Sequence, residues 1–342
     1  MDGDRGRPTT WVAFGVFGLV LAEVGTGVAA AVGAGLSFDQ ARDSFVITNS
    51  VIAVSCAVAG LLLGWQRPRN PVGWLLLAAG AFQAATVATA PFLGRQLGPG
   101  LPDPVARTVA TAASYSWPWS IALCLPLALL LFPDGTLPGR GWRFLVPVVV
   151  AEGALFALEV GAEPDSASVA APWLVLPNYA DLAPLWTASE IVNGAVYLAA
   201  FVGLAVRYRR GDEQRRRQLL WLLLALLAML VVLAIWAPAV GAGELVFVLL
   251  VIPLVPAAIT IAVLRHQLLD IRLVFSRAVL YGLLSAAVIG AYLGLVALAD
   301  VVQQSQGGAG GSVVATLVIA LGFNPVRVRL QRVVDRRLYG DR

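Results

Sequence analysis

Long apolar runs separated by short loops are the feature that most constrains this chain. A helix that crosses a bilayer needs about 20 predominantly apolar residues, and ten such runs lie along the 342 residues. With 13% charged residues, against about 25% in soluble domains, the chain is predicted to be an all-α integral membrane protein. The predicted spans are 11–34, 45–65, 71–94, 112–132, 142–162, 186–206, 218–238, 244–264, 278–302 and 311–326.

The arginines predict how these spans are oriented. All 24 basic residues are Arg, and 21 of them fall in tails and loops on one side of a ten-span arrangement. The positive-inside rule therefore predicts a multi-pass protein of the plasma membrane with both termini in the cytoplasm. Residues 1–10 are predicted to be a cytoplasmic tail, 11–323 the transmembrane domain and 324–342 a cytoplasmic helix. A pI of about 9.4 could indicate nucleic-acid binding. Because the arginines lie in short loops between spans, we interpret them as topological anchors and predict no nucleic-acid partner.

Ionisable side chains inside the spans are the first candidates for function, because they are costly to bury in a bilayer. Glu23 and Glu152 lie near the middle of spans one and five, and Glu159 follows Glu152 by seven residues, on the same helical face. An outward-facing acidic and aromatic pocket is predicted, suited to a cationic or amphipathic ligand. The alternative is that the outer acids are interfacial and the tryptophans form a membrane-interface belt. The candidate pocket residues are Glu23, Glu152, Glu159, Glu190, Trp117, Trp119 and Trp236.

The sequence predicts no catalytic, cofactor or metal site. The single histidine, His266, lies at a membrane edge without an evident nucleophile, and Cys56 and Cys124 fall inside apolar runs. The glycine-rich segment 307–311 lacks the Lys-Ser/Thr ending of a phosphate-binding loop. These residues therefore give no support to an enzyme active site within the chain.

The last 19 residues, "NPVRVRLQRVVDRRLYGDR", predict a basic amphipathic helix. Its apolar positions follow a spacing of three to four residues, so one face could pair with a partner helix in a homodimer. Its arginines would hold it at the anionic inner surface of the bilayer. This predicted signal-transmitting face consists of Val326, Leu330, Val333, Val334 and Leu338.

Several motifs occur together in one order: "NPVGWLLL" (70–77), "LLLFPDGTLPGRGWR" (129–143), "RRGDEQRRRQLLWLLL" (209–224) and "LRHQLLDIRLVFSRAVLYGLL" (264–284). With the closing basic segment, the series resembles the multi-span N-terminal sensor region of actinobacterial two-component sensor histidine kinases. The resemblance implies that the last helix passes a signal to a cytoplasmic kinase core, which uses ATP and acts on a response regulator. No phosphoacceptor helix or ATP-binding box is found in the sequence, so catalysis is expected only where such a core is attached.

Two other functions stay open at this level. A small-solute or lipid transporter would need deep polar residues lining a path, and often paired broken helices. Only Glu23 and Glu152 lie at depth in the sequence, and the two halves show no symmetry. An accessory membrane protein that modulates a separate kinase would share every feature of the sensor module except a covalently attached core.

Overall fold

The computed structural model describes residues 7–93, 101–164, 170–236 and 249–264. All regular structure in these ranges is helical, and they contain no strand. Six helices are long and apolar enough to cross a membrane, which confirms the predicted all-α membrane protein. The helices are α1 (Arg7–Gly33), α2 (Phe38–Asp43), α3 (Val46–Gln66), α4 (Pro71–Thr89), α5 (Asp103–Trp119), α6 (Leu125–Leu131), α7 (Leu145–Gly161), α8 (Ala183–Arg210), α9 (Glu213–Trp236) and α10 (Leu254–Leu264).

The six membrane-length segments correspond to the first six predicted spans. Short 3₁₀ turns extend three of them, at Ala90–Leu93, Arg140–Phe144 and Ala180–Leu182. A five-residue π-helical turn, Ser120–Cys124, joins α5 to α6 and makes one continuous segment of 29 residues. The helix α1 begins at Arg7, so it includes the end of the predicted N-terminal tail.

The later predicted spans are described only in part. The seventh overlaps α9. The eighth, predicted as one helix over 244–264, is interrupted by a turn after residue 249 and resumes as α10 at Leu254. Residues 250–253 form a turn, because Pro253 has no N–H to donate and disfavours helical backbone in the residue before it. Ten spans therefore remain a prediction. Spans nine and ten and the predicted helix 324–342, with Val326, Leu330, Val333, Val334 and Leu338, lie outside the described residues.

Successive long helices run in alternating directions, and this gathers the arginine-bearing turns at one end of the bundle. Gly64, near the end of α3, packs close to Ala13 at the start of α1. Asn70, which caps the start of α4, donates from Nδ2 to the carbonyl of Pro133, just after α6, at 2.8 Å. We call this end the basic face. Its described arginines are Arg67, Arg69, Arg140, Arg143, Arg207, Arg209, Arg210, Arg215, Arg216 and Arg217.

Glycines allow α3 and α4 to approach backbone to backbone. A Cβ atom added at Gly60 would lie 2.6 Å from the backbone nitrogen of Leu77, and one added at Gly80 would lie 2.9 Å from the carbonyl oxygen of Ala53. Neither position has room for a side chain. Small residues at helix interfaces are common in membrane proteins, because close van der Waals packing replaces the hydrophobic drive that lipid removes.

The largest apolar cluster in the described residues fixes α8 within the bundle. Leu204 of α8 is fully buried there. The cluster also takes side chains from α3, α4, α6, α9 and α10, including Leu63, Leu76, Leu129, Leu222 and Ile259. Close packing of this kind leaves few voids, so α8 is held near the basic face by packing on several sides.

Candidate functional site

Two glutamates of α7 are buried where α7 packs against α8. The side chains of Glu152 and Glu159 are only 3% and 7% exposed, and Ser189 of α8 is fully buried between the two helices. The hydroxyl of Ser189 donates to Oε1 of Glu152 at 3.2 Å and also lies close to the carboxyl of Glu159. Asn193, one helical turn further along α8, lies beside Glu152. We call Glu152, Glu159, Ser189 and Asn193 the carboxyl site.

The polar atoms of the carboxyl site are only partly satisfied. Oε2 of Glu159 and Nδ2 of Asn193 are buried and have no hydrogen-bond partner among the described residues. Neither glutamate forms an ion pair with the described part of the chain. Burying an uncompensated carboxylate costs several kcal/mol, so the site favours a proton or a bound cation that balances its charge.

Two further acids lie close to the carboxyl site: Glu163 comes just after α7, toward the end of the bundle opposite the basic face, and Glu190 directly follows Ser189 on α8. Both residues are exposed. Burial raises the pKa of Tyr179, and negative charge on Glu163, Glu159 and Glu190 raises it further. These charges are therefore close enough to act together on one hydroxyl. Negative charge at these positions favours the approach of cations, and we call Glu163 and Glu190 the acidic entrance.

The loop between α7 and α8 is fastened over this end of the bundle. The guanidinium of Arg107 stacks on the ring of Trp173 at 4.4 Å, and the Trp173 indole donates to the hydroxyl of Thr108 at 3.1 Å. The hydroxyl of Tyr115 donates to the carbonyl of Leu174 at 2.8 Å. These contacts bind the described residues after position 169 to α5, next to the acidic entrance.

The predicted pocket residues do not form one group. Trp117 packs edge-on against Phe156, which lies between the two glutamates on α7, whereas Trp119 stacks on Phe82 of α4. Residues two apart on a helix point to opposite sides, so the two tryptophans line different interfaces. Of the predicted acids, Glu152 and Glu159 converge on one serine, and Glu190 is exposed at the entrance.

Glu23 and Trp236 lie apart from the carboxyl site or cannot be placed in it. Glu23 is half-buried on α1, which packs against α3 and α4, and its Oε2 has no described partner. It is therefore a separate polar position and does not join the glutamates of α7. Trp236 is the last residue of α9, and its side chain lies outside the described part of the chain.

A second polar contact joins α8 to the π-helical turn. In this turn the N–H of Leu125 donates to the carbonyl of Ser120, five residues back. The next residue, Pro126, has no N–H, so the carbonyl of Ile121 is left without a backbone donor. The hydroxyl of Tyr197 donates to that carbonyl at 2.7 Å. A side chain of α8 thus satisfies a backbone group that the proline would otherwise leave unpaired in the membrane.

A third contact lies at the basic face, where Arg207 binds the turn after α6. Its guanidinium donates to the carbonyls of Phe132 and Thr136. We call residues 132–136 the FPDGT loop. Gly135 adopts a left-handed backbone with φ of 76°, and an added side chain there would collide with Pro71. Arg215 forms a 2.9 Å ion pair with Asp134, so both the backbone and the side chains of the loop are fastened.

Sequence reasoning missed Ser189, Tyr197 and Arg207 as functional positions. The sequence alone predicts Arg207 only as a topological anchor, because its carbonyl partners lie more than 70 residues earlier in the chain. A signal for Ser189 is present in the sequence: with Asn193 it forms an i,i+4 polar pair on one face of α8. Pro126 likewise predicts an unpaired carbonyl, but its donor could not be identified before the fold was known.

Within the described residues, no group of three or more His, Cys, Asp or Glu side chains gathers as a metal centre. No protein-family model, no characterised protein and no solved structure matches the chain. What the protein does must therefore be inferred from the carboxyl site, α8 and the FPDGT loop.

Proposed function

We propose that the protein is the membrane-embedded input module of a two-component sensor histidine kinase. In this proposal, occupation of the carboxyl site moves α8, which changes how Arg207 holds the FPDGT loop. The observation that carries it is the continuity of α8, a single helix of 28 residues. Ser189 and Arg207 lie on this one helix about 27 Å apart, so a movement at one end is transmitted to the other.

The arginine distribution supports the orientation that a sensor needs. Of the 24 arginines in the sequence, only Arg42, Arg95 and Arg107 lie away from the predicted cytoplasmic side. The positive-inside rule then places the basic face and both termini in the cytoplasm of a cell whose plasma membrane holds the bundle. The acidic entrance would face outward, where an extracellular signal arrives.

The remaining steps of the proposal concern residues outside the described ranges. The predicted helix 324–342 would pass the movement to a cytoplasmic kinase core, as in the family that the sequence resembles. That core would bind ATP and phosphorylate a response regulator, and pairing of the apolar face of the helix would make the module a homodimer in the bilayer.

The distribution of polar side chains on α7 and α8 supports sensing over transport. Between Glu152 and the basic face, α7 continues as "LVPVVVA" (145–151) and carries no polar side chain. On α8, residues 194–206 carry no charged side chain, and the hydroxyl of Tyr197 is bound to the Ile121 carbonyl. A transported solute would need polar groups through the whole depth. The acids of α7 extend only from its outer end to the middle of the helix, as expected of a binding site and not of a path across the membrane.

A chimera tests the proposed function. The full chain would be fused after residue 342 to a soluble histidine kinase core and reconstituted in nanodiscs, and its autophosphorylation measured with ATP. We expect Arg207→Gln to change basal autophosphorylation at least about fivefold, the lower range of typical coupling between sites, because the FPDGT loop loses its two donors. The matched control is Arg209→Gln, which removes the same charge from the same helix at an exposed position.

Equal autophosphorylation in the Arg207→Gln and unmodified chimeras, with both folded by size-exclusion chromatography, would contradict the input-module proposal. The accessory alternative is tested with the same proteins unfused. If the unfused chain regulates a separately added kinase core, and Arg207→Gln abolishes that regulation, the protein is a stand-alone accessory protein and not an input module covalently attached to a kinase core.

A further inference from the structure

The carboxyl site is too closed for an organic ligand. Glu152, Glu159 and Ser189 are all at least nine-tenths buried, at 3%, 7% and 0% exposure. Phe156 and the edge-on ring of Trp117 pack along the same stretch of α7. An occupant must therefore be small, of the size of a single ion.

The charge of the site indicates the charge of the occupant. Two ionised glutamates carry two negative charges, and no described arginine pairs with either. A monovalent cation would leave one negative charge uncompensated in a bilayer interior, at a cost of several kcal/mol. One divalent cation makes the site neutral.

The donor atoms indicate the kind of divalent cation. The site offers carboxylate, hydroxyl and amide groups and no sulfur or imidazole, which suits hard, oxygen-seeking ions. Two bidentate carboxylates, one hydroxyl and one amide oxygen supply about six ligands, the lower end of the range for Ca²⁺. Half a turn of the Asn193 amide brings its Oδ1 to the position now taken by the unpartnered Nδ2.

The spacing of the glutamates is compatible with one ion between them. Residues seven apart on a helix are separated by about 10 Å along its axis, which two glutamate side chains reaching toward each other can bridge around an ion. Both carboxyls already lie beside the hydroxyl of Ser189, and the second oxygen of Glu159 is buried there without a partner. This free oxygen is the atom that a bound ion would engage.

We infer that the carboxyl site of Glu152, Glu159, Ser189 and Asn193 binds a single divalent cation, with Ca²⁺ the best match to its oxygen ligands. This inference rests on the proposed function in one respect, since it names the ligand of the site that the input module uses. Ion binding itself can be measured without any kinase.

Luminescent Tb³⁺, which replaces Ca²⁺ at oxygen sites, gives a direct test. Trp186 is buried one turn before Ser189 on α8, close enough to excite a Tb³⁺ ion held at the carboxyl site. The full chain in zwitterionic nanodiscs would be titrated with Tb³⁺ under tryptophan excitation. Bound Tb³⁺ would then be displaced by Ca²⁺, by Mg²⁺ and, as a control, by Na⁺ at equal ionic strength.

We expect saturable Tb³⁺ emission that Ca²⁺ displaces at lower concentration than Mg²⁺. Glu152→Gln and Glu159→Gln should each weaken Ca²⁺ affinity by at least about tenfold, the loss seen even for supporting residues of metal sites, and Glu152→Asp by less. Trp186→Phe should lower the emission but not the Ca²⁺ affinity. Asp181→Asn, which removes an exposed acid at the same face, is the matched control and should leave the affinity unchanged.

The Gln variants remove charge from a buried site, so they are expected to remain folded, and their thermal midpoints without Ca²⁺ would verify this. Unchanged Ca²⁺ affinity in folded Glu152→Gln, or no divalent binding by the unmodified chain, would overturn the inference. A fluorescence response to pH alone, identical with and without Ca²⁺, would overturn it in favour of a shared proton. A third outcome separates the two proposals. If the chain binds Ca²⁺ but Arg207→Gln leaves autophosphorylation of the kinase chimera unchanged, the input-module proposal is contradicted and the ion site is supported.

Discussion

At the scale of the residue, the polar contacts of α8 differ in what they satisfy. Tyr197 satisfies a carbonyl that Pro126 leaves without a backbone donor, and Arg207 satisfies two carbonyls of a turn. Arg215 of the next helix, α9, instead pairs with Asp134 where both side chains are about half exposed. Exposed ion pairs contribute little, about 0 to 1 kcal/mol. The backbone contacts of Tyr197 and Arg207 therefore matter more to stability than the single visible ion pair of the FPDGT loop.

Replacing Tyr197 by Phe tests the contact at the π-helical turn. The Ile121 carbonyl would lose its only described donor in apolar surroundings, so we expect the free energy of unfolding to fall by about 1 to 2 kcal/mol. Unfolding in mixed detergent micelles measures it. Tyr208→Phe is the control, because the Tyr208 hydroxyl makes no hydrogen bond within the described residues. Equal stability of the two variants would contradict this prediction, because it would mean that another group, such as water, donates to the Ile121 carbonyl when the Tyr197 hydroxyl is absent.

At the scale of the element, the close approach of α3 and α4 depends on glycines, which have no side chain to keep the helices apart. The α3–α4 interface is built around Gly60, Gly73 and Gly80, where added Cβ atoms would lie 3.0 Å or less from the facing helix. On α1 the glycines differ among themselves. Gly27 is packed against Val87 of α4, whereas Gly15, Gly18, Gly25 and Gly33 have nothing within 4 Å of an added Cβ.

Gly60→Val is expected to lower the free energy of unfolding by about 1 to 3 kcal/mol, the usual cost of overpacking. The new side chain would meet the Leu77 backbone, which cannot move aside without separating the helices. Gly18→Val makes the same chemical change on an open face of α1 and should alter stability by less than about 0.5 kcal/mol. A similar loss in both variants would show that valine acts through helix propensity and not through packing.

At the scale of the whole molecule, the arginine count predicts which face is cytoplasmic. The only two cysteines in the sequence, Cys56 and Cys124, are both buried in the bundle. A thiol reagent is therefore expected to label a single introduced, exposed cysteine and not the two native ones. Gly139, at the basic face, and Asp181, at the opposite face, are both exposed.

In intact cells, a membrane-impermeant maleimide is expected to label Asp181→Cys and to leave Gly139→Cys unlabelled until the cells are permeabilised. The physical reason is that arginine-rich loops are retained in the cytoplasm. Labelling is measured by gel shift. The reverse pattern would place the acidic entrance in the cytoplasm and remove the basis for an extracellular signal.

The sequence was most informative where a rule depends on one helix alone. Run length predicted the membrane helices, and the seven-residue spacing predicted that Glu152 and Glu159 share a face. It was least informative about partners from distant elements. The sequence predicts one pocket for Trp117 and Trp119, although helical geometry separates them. Gly25 and Gly27 look alike in the sequence, although only Gly27 would contact a neighbouring helix. Which face of a helix meets protein and which meets lipid depends on the whole packing arrangement.

The three attachments of α8 limit how that helix can respond to any signal. Ser189, Tyr197 and Arg207 bind groups at three different depths along one continuous helix. An axial shift of even 1 Å would stretch all three bonds together, and an intermediate position would leave acceptors unpaired in a medium without water. Under the proposed function, these bonds therefore favour a few discrete positions of α8 over a continuous range. If the chain is an input module as proposed, its kinase output would then rise steeply over a narrow range of signal concentration.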